Sequence, residues 1–85
     1  PEQEGIVVFP NPAKSTIGIS GLAAFGDSCI IELMDATGKQ VVTMKIINAA
    51  NNLSLSVQEV SSGYYTLMIS SNTHKRHIEK VLILD

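Results

Sequence analysis

The apolar residues of this chain recur at every second position, and that period constrains the fold more than any other feature. Leu53, Leu55 and Val57 alternate with Ser54 and Ser56. Tyr65, Leu67 and Ile69 alternate with Thr66, Met68 and Ser70, and Cys29, Ile31 and Leu33 alternate with Ile30, Glu32 and Met34. Val42, Met44 and Ile46 interleave with Val41, Thr43 and Lys45. Successive side chains of a strand point to opposite faces, so each run presents one apolar face and one more polar face. That is the pattern of half-buried antiparallel strands.

Turn chemistry separates the runs. Val7-Val8-Phe9 leads directly into Pro10-Asn11-Pro12. Two prolines remove two backbone donors, fix two φ angles and push the residues before them into extended conformations. An edge strand ending at Phe9, followed by a rigid corner, satisfies all of this, and the alternation restarts at Ile17 and Ile19. Gly21 to Asp27 reads as a loop with room for one helical turn. Asp35-Ala36-Thr37-Gly38 reads as a tight hairpin, with Asp accepting backbone bonds and Gly taking a positive φ. Further connections fall at Asn48 to Asn52, Ser61-Ser62-Gly63 and Ser71-Asn72. The spacing predicts seven strands near 5–9, 15–20, 28–34, 39–47, 52–57, 64–70 and 74–84. The expected fold is all-β, a seven-stranded antiparallel immunoglobulin-like β-sandwich.

At 85 residues the chain is one domain, read as a polar linker over 1–5 and a folded unit over 6–85. Hydrophobic residues at 45% against 16% charged fit an ordered core rather than a disordered tail. A domain this small buries about 60–65% of the surface its unfolded chain exposes, so that core is modest. The net charge of −2 supplies no positive field for nucleic acid. Apolar runs such as Val81 to Leu84 are strand length, far short of the roughly 20 residues a membrane helix needs. The chain carries no initiator Met and no signal-peptide pattern, and reads as a piece of a longer polypeptide.

No catalytic, cofactor-binding or metal-binding residue is expected. His74 and His77, three apart in the final strand, point to opposite faces and cannot share a metal. Cys29 has no partner for an internal disulfide and sits mid-strand among apolar neighbours, as a small buried hydrophobe would. Thr37-Gly38-Lys39 lacks the upstream glycine of a phosphate-binding loop and closes a hairpin instead of opening a helix. Asp27, Asp35 and Asp85 do not have calcium-loop spacing. Four aromatics and no Trp leave little material for a stacking platform for sugars or single-stranded nucleic acid. One asymmetry stands out. Lys75, Arg76 and Lys80 are half of the six basic residues, and all fall in the last eleven positions. They read either as a solvated edge strand guarded against stray pairing or as a recognition patch.

Taken in order, four motifs carry a resemblance: Pro10-Asn11-Pro12; Asp35-Ala36-Thr37-Gly38-Lys39; Val60-Ser61-Ser62-Gly63-Tyr64-Tyr65; and the aliphatic tail Lys80-Val81-Leu82-Ile83. The chain resembles the type A C-terminal sorting domain of cargo proteins exported by the type IX (Por) secretion system of Bacteroidetes-type bacteria. The likeness runs from about Val7 to Leu84. Val60 stands where the family usually has Leu, and Ser62 where Ala is usual.

The resemblance implies a non-catalytic address label at the end of a larger cargo. The type IX translocon would read it, and a gingipain-like cell-surface sortase would then remove it. The cargo would pass through the periplasm to the cell surface or the extracellular space, with no membrane insertion by this domain and no cofactor. Pro10, Asn11, Pro12, Asp35, Gly38, Lys39, Val60, Gly63 and Tyr65 would then be motif positions that build the fold, with Tyr65 sending its hydroxyl back to upstream backbone as a tyrosine corner. Recognition is expected on the last strand, through Lys75, Arg76, Lys80, Val81, Leu82, Ile83 and Leu84. Exposed edges also allow a weak homodimer. Two other classes fit the same pattern: a fibronectin-like adhesion or spacer module, and a carbohydrate-binding module that would need more exposed aromatics.

Overall fold

The computed structural model describes residues 6–9, 14–25, 28–47, 51–71 and 76–84. Within them lie seven strands: β1 (Val7–Phe9), β2 (Thr16–Ser20), β3 (Ser28–Met34), β4 (Gln40–Ile47), β5 (Asn52–Ser56), β6 (Gly63–Ser71) and β7 (Arg76–Ile83). The one helical element among them is a single 3-10 turn over Leu22–Phe25. It falls inside the loop that the sequence left open for it. Pro10 to Pro12, His74, Lys75 and the polar linker lie outside the described residues, as do Asp27, Asp85 and residues 48–50 of the 48–52 connection.

The strands form two sheets, in the orders β1-β2-β5 and β4-β3-β6-β7, and every pairing is antiparallel. β1 and β7 are both edge strands. The register decides which side chains go inward. Ile17 pairs with Leu55 in the smaller sheet; Ile31 with Ile69, Leu33 with Leu67, and Tyr65 with Val81 in the larger. All of these belong to one buried cluster fed by both sheets. Val42, Met44 and Ile46 of β4 pack on its margin. The period-two pattern is therefore the core pattern, because a shift of one residue would turn every one of these side chains outward.

Loops are tied to strands by backbone bonds. Asn51 holds the 3-10 turn twice: its carbonyl accepts the Leu22 N–H at 3.1 Å, and its side-chain oxygen accepts the Ala23 N–H at 3.0 Å. The Val57 N–H donates to the Ser15 carbonyl at 2.9 Å, joining the end of β5 to the start of β2. Leu22 and Phe25 drop their side chains into the core from this turn.

Candidate recognition surface

β7 alternates strictly in exposure. Val81 and Ile83 are fully buried in the core. Arg76, Ile78 and Lys80 stand outward and exposed, Leu82 is half-buried on the same side, and Leu84 follows them at 41% exposure. Of the last-strand residues named from sequence, Arg76, Lys80, Leu82 and Leu84 thus share one face. Val81 and Ile83 are core, and their side chains are closed to any partner while the domain is folded. His77 and Glu79 lie on the inward side near the strand's start, half-buried, with His77 Nε2 and Glu79 Oε1 2.8 Å apart.

The β3–β4 hairpin is organised by one oxygen. Asp35 Oδ1 accepts the Thr37 N–H at 2.9 Å, the Thr37 hydroxyl at 2.6 Å and the Lys39 N–H at 3.0 Å. These bonds, the Thr37 hydroxyl foremost, hold the Asp35 carboxyl below the usual carboxylate range. The Gly38 N–H closes onto the Asp35 carbonyl at 2.9 Å, and Gly38 has φ +88°, a conformation that glycine adopts without the steric penalty of a Cβ.

The start of β6 is pinned in a different way. The Tyr65 hydroxyl donates to the Ser61 carbonyl at 2.7 Å, four residues upstream, in the manner of a tyrosine corner. The ring itself is buried in the core. Between the two residues, Gly63 turns the chain at φ +153°. Val60 donates its N–H to the Val57 carbonyl at 3.0 Å and packs on the core margin.

Strand register brings these separate segments to one end of the four-stranded sheet. Met34 pairs with Thr66, Thr66 with Lys80, and Gly63 with Ile83. The result is a depression of ≈ 340 Å³ lined by Met34, Asp35, Gly38, Tyr64, Thr66 and Lys80. A larger concavity of ≈ 680 Å³ lies between the same hairpin and the β5–β6 connection, bordered by Asp35, Val42, Val60 and Tyr65. Residues of the Asp-x-x-Gly hairpin, the Gly-x-Tyr turn and the basic tail therefore meet in space, although more than forty positions separate the first from the last.

Residues 7–84 match the family described as secretion system C-terminal sorting domain. The chain belongs to that family. A sorting domain of this kind is the C-terminal signal for type IX secretion: it marks a cargo protein for that system and implies export to the cell surface or extracellular space. No curated protein matches the chain.

Cys29 is buried, and burial pushes its thiol pKa up, away from the reactive thiolate. Among the described residues no group of three or more His, Cys, Asp or Glu could hold a metal, and no helix is long and apolar enough to cross a membrane. The family suggests a non-catalytic module.

The sequence places the candidate surface on the last strand, and the sheet sets apolar neighbours beside it. Ile30, Met34, Tyr64 and Met68 lie on the same outward face as Arg76, Ile78 and Lys80, because Ile30 pairs with Ser70, which pairs with Arg76, and Met68 pairs with Ile78. The signal was present in the apolar residues at the nominally polar positions of β3 and β6. It became legible only with the pairing register.

Proposed function

We propose that this sorting domain is an immunoglobulin-like β-sandwich, read by the outer-membrane translocon of the type IX system through its last strand and then cut from its cargo upstream of β1 by a gingipain-like sortase. The sandwich reading is supported by two antiparallel sheets of three and four strands, ordered β1-β2-β5 and β4-β3-β6-β7, over one shared core. The single observation that carries the recognition reading is the position of β7. Among the described residues it has one neighbouring strand, β6, which leaves its other edge without a described strand, and it presents Arg76 and Lys80 outward beside that edge. An open edge offers main-chain hydrogen bonds to an added strand, and outward side chains choose the partner. Val81 and Ile83 contribute by anchoring β7 to the core, and Lys75 extends the basic cluster in sequence. The cut is placed ahead of β1 and of Pro10-Asn11-Pro12 in the chain order.

The test appends residues 1–85 to an inert reporter with a Sec signal, in a cell carrying the type IX machinery. The reporter is expected outside the outer membrane, shortened by the length of the domain. Arg76→Glu with Lys80→Glu, which leaves Val81 and Ile83 in place, is expected to strand it in the periplasm. A wild-type fusion that stays periplasmic would refute the reading, and a charge-reversed one that is exported normally would remove β7 from recognition.

A further inference from the structure

The two outer faces of the domain are unlike in charge and in apolar exposure. β1, β2 and β5 contain no charged residue at all. Their outer face is built from Thr16, Ser20, Asn52, Ser54 and Ser56 with Val7 and Phe9 exposed at its β1 edge, and Phe9 already covers Gly18, against which its ring lies. The outer face of the four-stranded sheet is different. Among the described residues eight large hydrophobic side chains stand exposed, and six of them, Ile30, Val41, Ile47, Tyr64, Ile78 and Leu84, belong to this sheet or directly follow its last strand. A contiguous apolar surface on a small domain marks an interaction site more often than chance.

Cations frame that surface. Lys45 pairs with Ile30, Ile30 with Ser70, and Ser70 with Arg76, so one row across the sheet begins and ends in a positive charge. Lys80 ends the row through Met34 and Thr66. Lys45, Arg76 and Lys80 make no ion pair among the described residues. Among the described residues two acids border this face: Glu32 accepts a bond from the Gln40 amide at 2.6 Å, and Asp35, in the lining of the depression that holds Lys80, already accepts three bonds within its own hairpin. Each end of the face is also concave: a depression of ≈ 320 Å³ includes Ile30, Lys45 and Ser70, and the ≈ 340 Å³ depression includes Met34, Tyr64 and Lys80. A local excess of positive charge on a chain of net charge −2 is a local device, since the whole molecule would not attract anions.

We propose that the outer face of the four-stranded sheet, with the open edge of β7 beside it, docks an acidic and apolar protein partner. Its carboxylates meet Lys45, Arg76 and Lys80, and its apolar side chains settle over Ile30, Met68 and Ile78. The proposal deepens the export reading and rests on it for the partner's location, but it extends the contact from the last strand across β6 and β3 to β4. A protein fits better than a lipid surface, because among the described residues β7 pairs with β6 alone, and an added strand on its other side is something a lipid cannot supply.

Two experiments test it. In the first, the 85-residue chain is titrated by amide NMR with a short blocked peptide alternating glutamate and valine, against the same peptide with lysine for glutamate. Shifts are expected on β7, β6, β3 and β4 with the acidic peptide and not with the basic one. Absence of shifts, equal shifts with both peptides, or shifts on β1, β2 and β5 would each overturn the proposal. Binding to phosphatidylglycerol vesicles without peptide shifts would overturn it in favour of a membrane. In the second, the export fusion carries Lys45→Glu with Ile30→Thr, both remote from β7, or Ser20→Glu with Ser54→Glu on the other sheet. The first pair is expected to lower export by about tenfold or more, equivalent to one favourable contact of about 1.4 kcal/mol lost, and the second to leave it unchanged. Thermal midpoints of the isolated chains check that both pairs stay folded. Normal export of the first pair would overturn the proposal. If the wild-type fusion is itself not exported, the export reading fails, and the peptide titration alone decides the surface.

Discussion

Phe9 and Gly18 are direct partners across the β1–β2 pair, and the Phe9 ring lies so close that a β-carbon at position 18 would sit 2.7 Å from it. The glycine is there for space. A ring covering a strand glycine shields backbone that would otherwise be bare to water, and it fixes the short edge strand to its neighbour. Phe9 nevertheless remains 50% exposed, so the contact is a cover on the surface and not part of the core.

Because the two residues compete for the same space, their substitutions should not add. Phe9→Ala is expected to destabilise the domain by about 1 kcal/mol through lost cross-strand contact. Gly18→Thr should be unfavourable while Phe9 is present and favourable once Phe9→Ala has cleared the ring, where a β-branched side chain has room to pack. Urea unfolding of the wild type, the two single variants and the double variant should give a coupling of roughly 0.5–3 kcal/mol. Strict additivity would mean that the ring swings aside at no cost.

Tyr65→Phe keeps the buried ring and removes the bond to the Ser61 carbonyl. The expected loss is about 0.5–1.5 kcal/mol, the net worth of one hydrogen bond. Equilibrium denaturation measures it, and faster exchange of amides at the start of β6 should accompany it. A Phe variant as stable as wild type would show that the carbonyl finds water instead.

In the β3–β4 hairpin, backbone and charge can be separated. A β-carbon at position 38 would meet nothing within 4 Å, so any cost of Gly38→Ala is conformational. A cost of about 1–2 kcal/mol is expected for holding a non-glycine residue at φ +88°.

The charge of Asp35 is tested by pH. Its folded pKa is lowered, so its contribution is present above the ordinary carboxylate pKa and is lost as pH falls through the folded value. The stability difference between wild type and Asp35→Asn should therefore be constant near neutrality and vanish in acid. Other carboxylates titrate in both proteins and cancel in the difference. A difference that does not shrink below the ordinary carboxylate pKa would mean that geometry, not charge, holds the turn.

Cys29 is buried and its thiol pKa is raised, so labelling by a disulfide reagent at mildly alkaline pH should be negligible in the native protein and fast in denaturant. The labelling rate in water should follow the opening of the domain. Rapid native labelling would mean that β3 frays at its start.

Much of the architecture was legible in local chemistry. β3 was placed to the residue, and the other six strands within two positions at each end, because alternation and turn residues act over a few neighbours. Asp35 and Gly38 shaped their hairpin as their side chains require, and Tyr65 found the upstream carbonyl its corner needs. The proposed recognition surface was legible only in part. The last strand announced itself through Arg76 and Lys80, but nothing in the chain order sets Ile30 in line with Arg76, or Lys45 at the far end of the same row.

The amino-acid sequence by itself determined which residues form strands, where the chain turns and which face of each strand is most apolar, since these follow from side-chain type and short-range geometry. Only the tertiary structure decided that Val81 and Ile83 turn into the core while Lys80 and Leu82 turn out, and that the outward residues of four strands join into one cation-framed apolar face. The physical reason is that sheet order and register are set by long-range pairing. A strand's own residues state that it has two faces, but its neighbours decide what stands beside each of them.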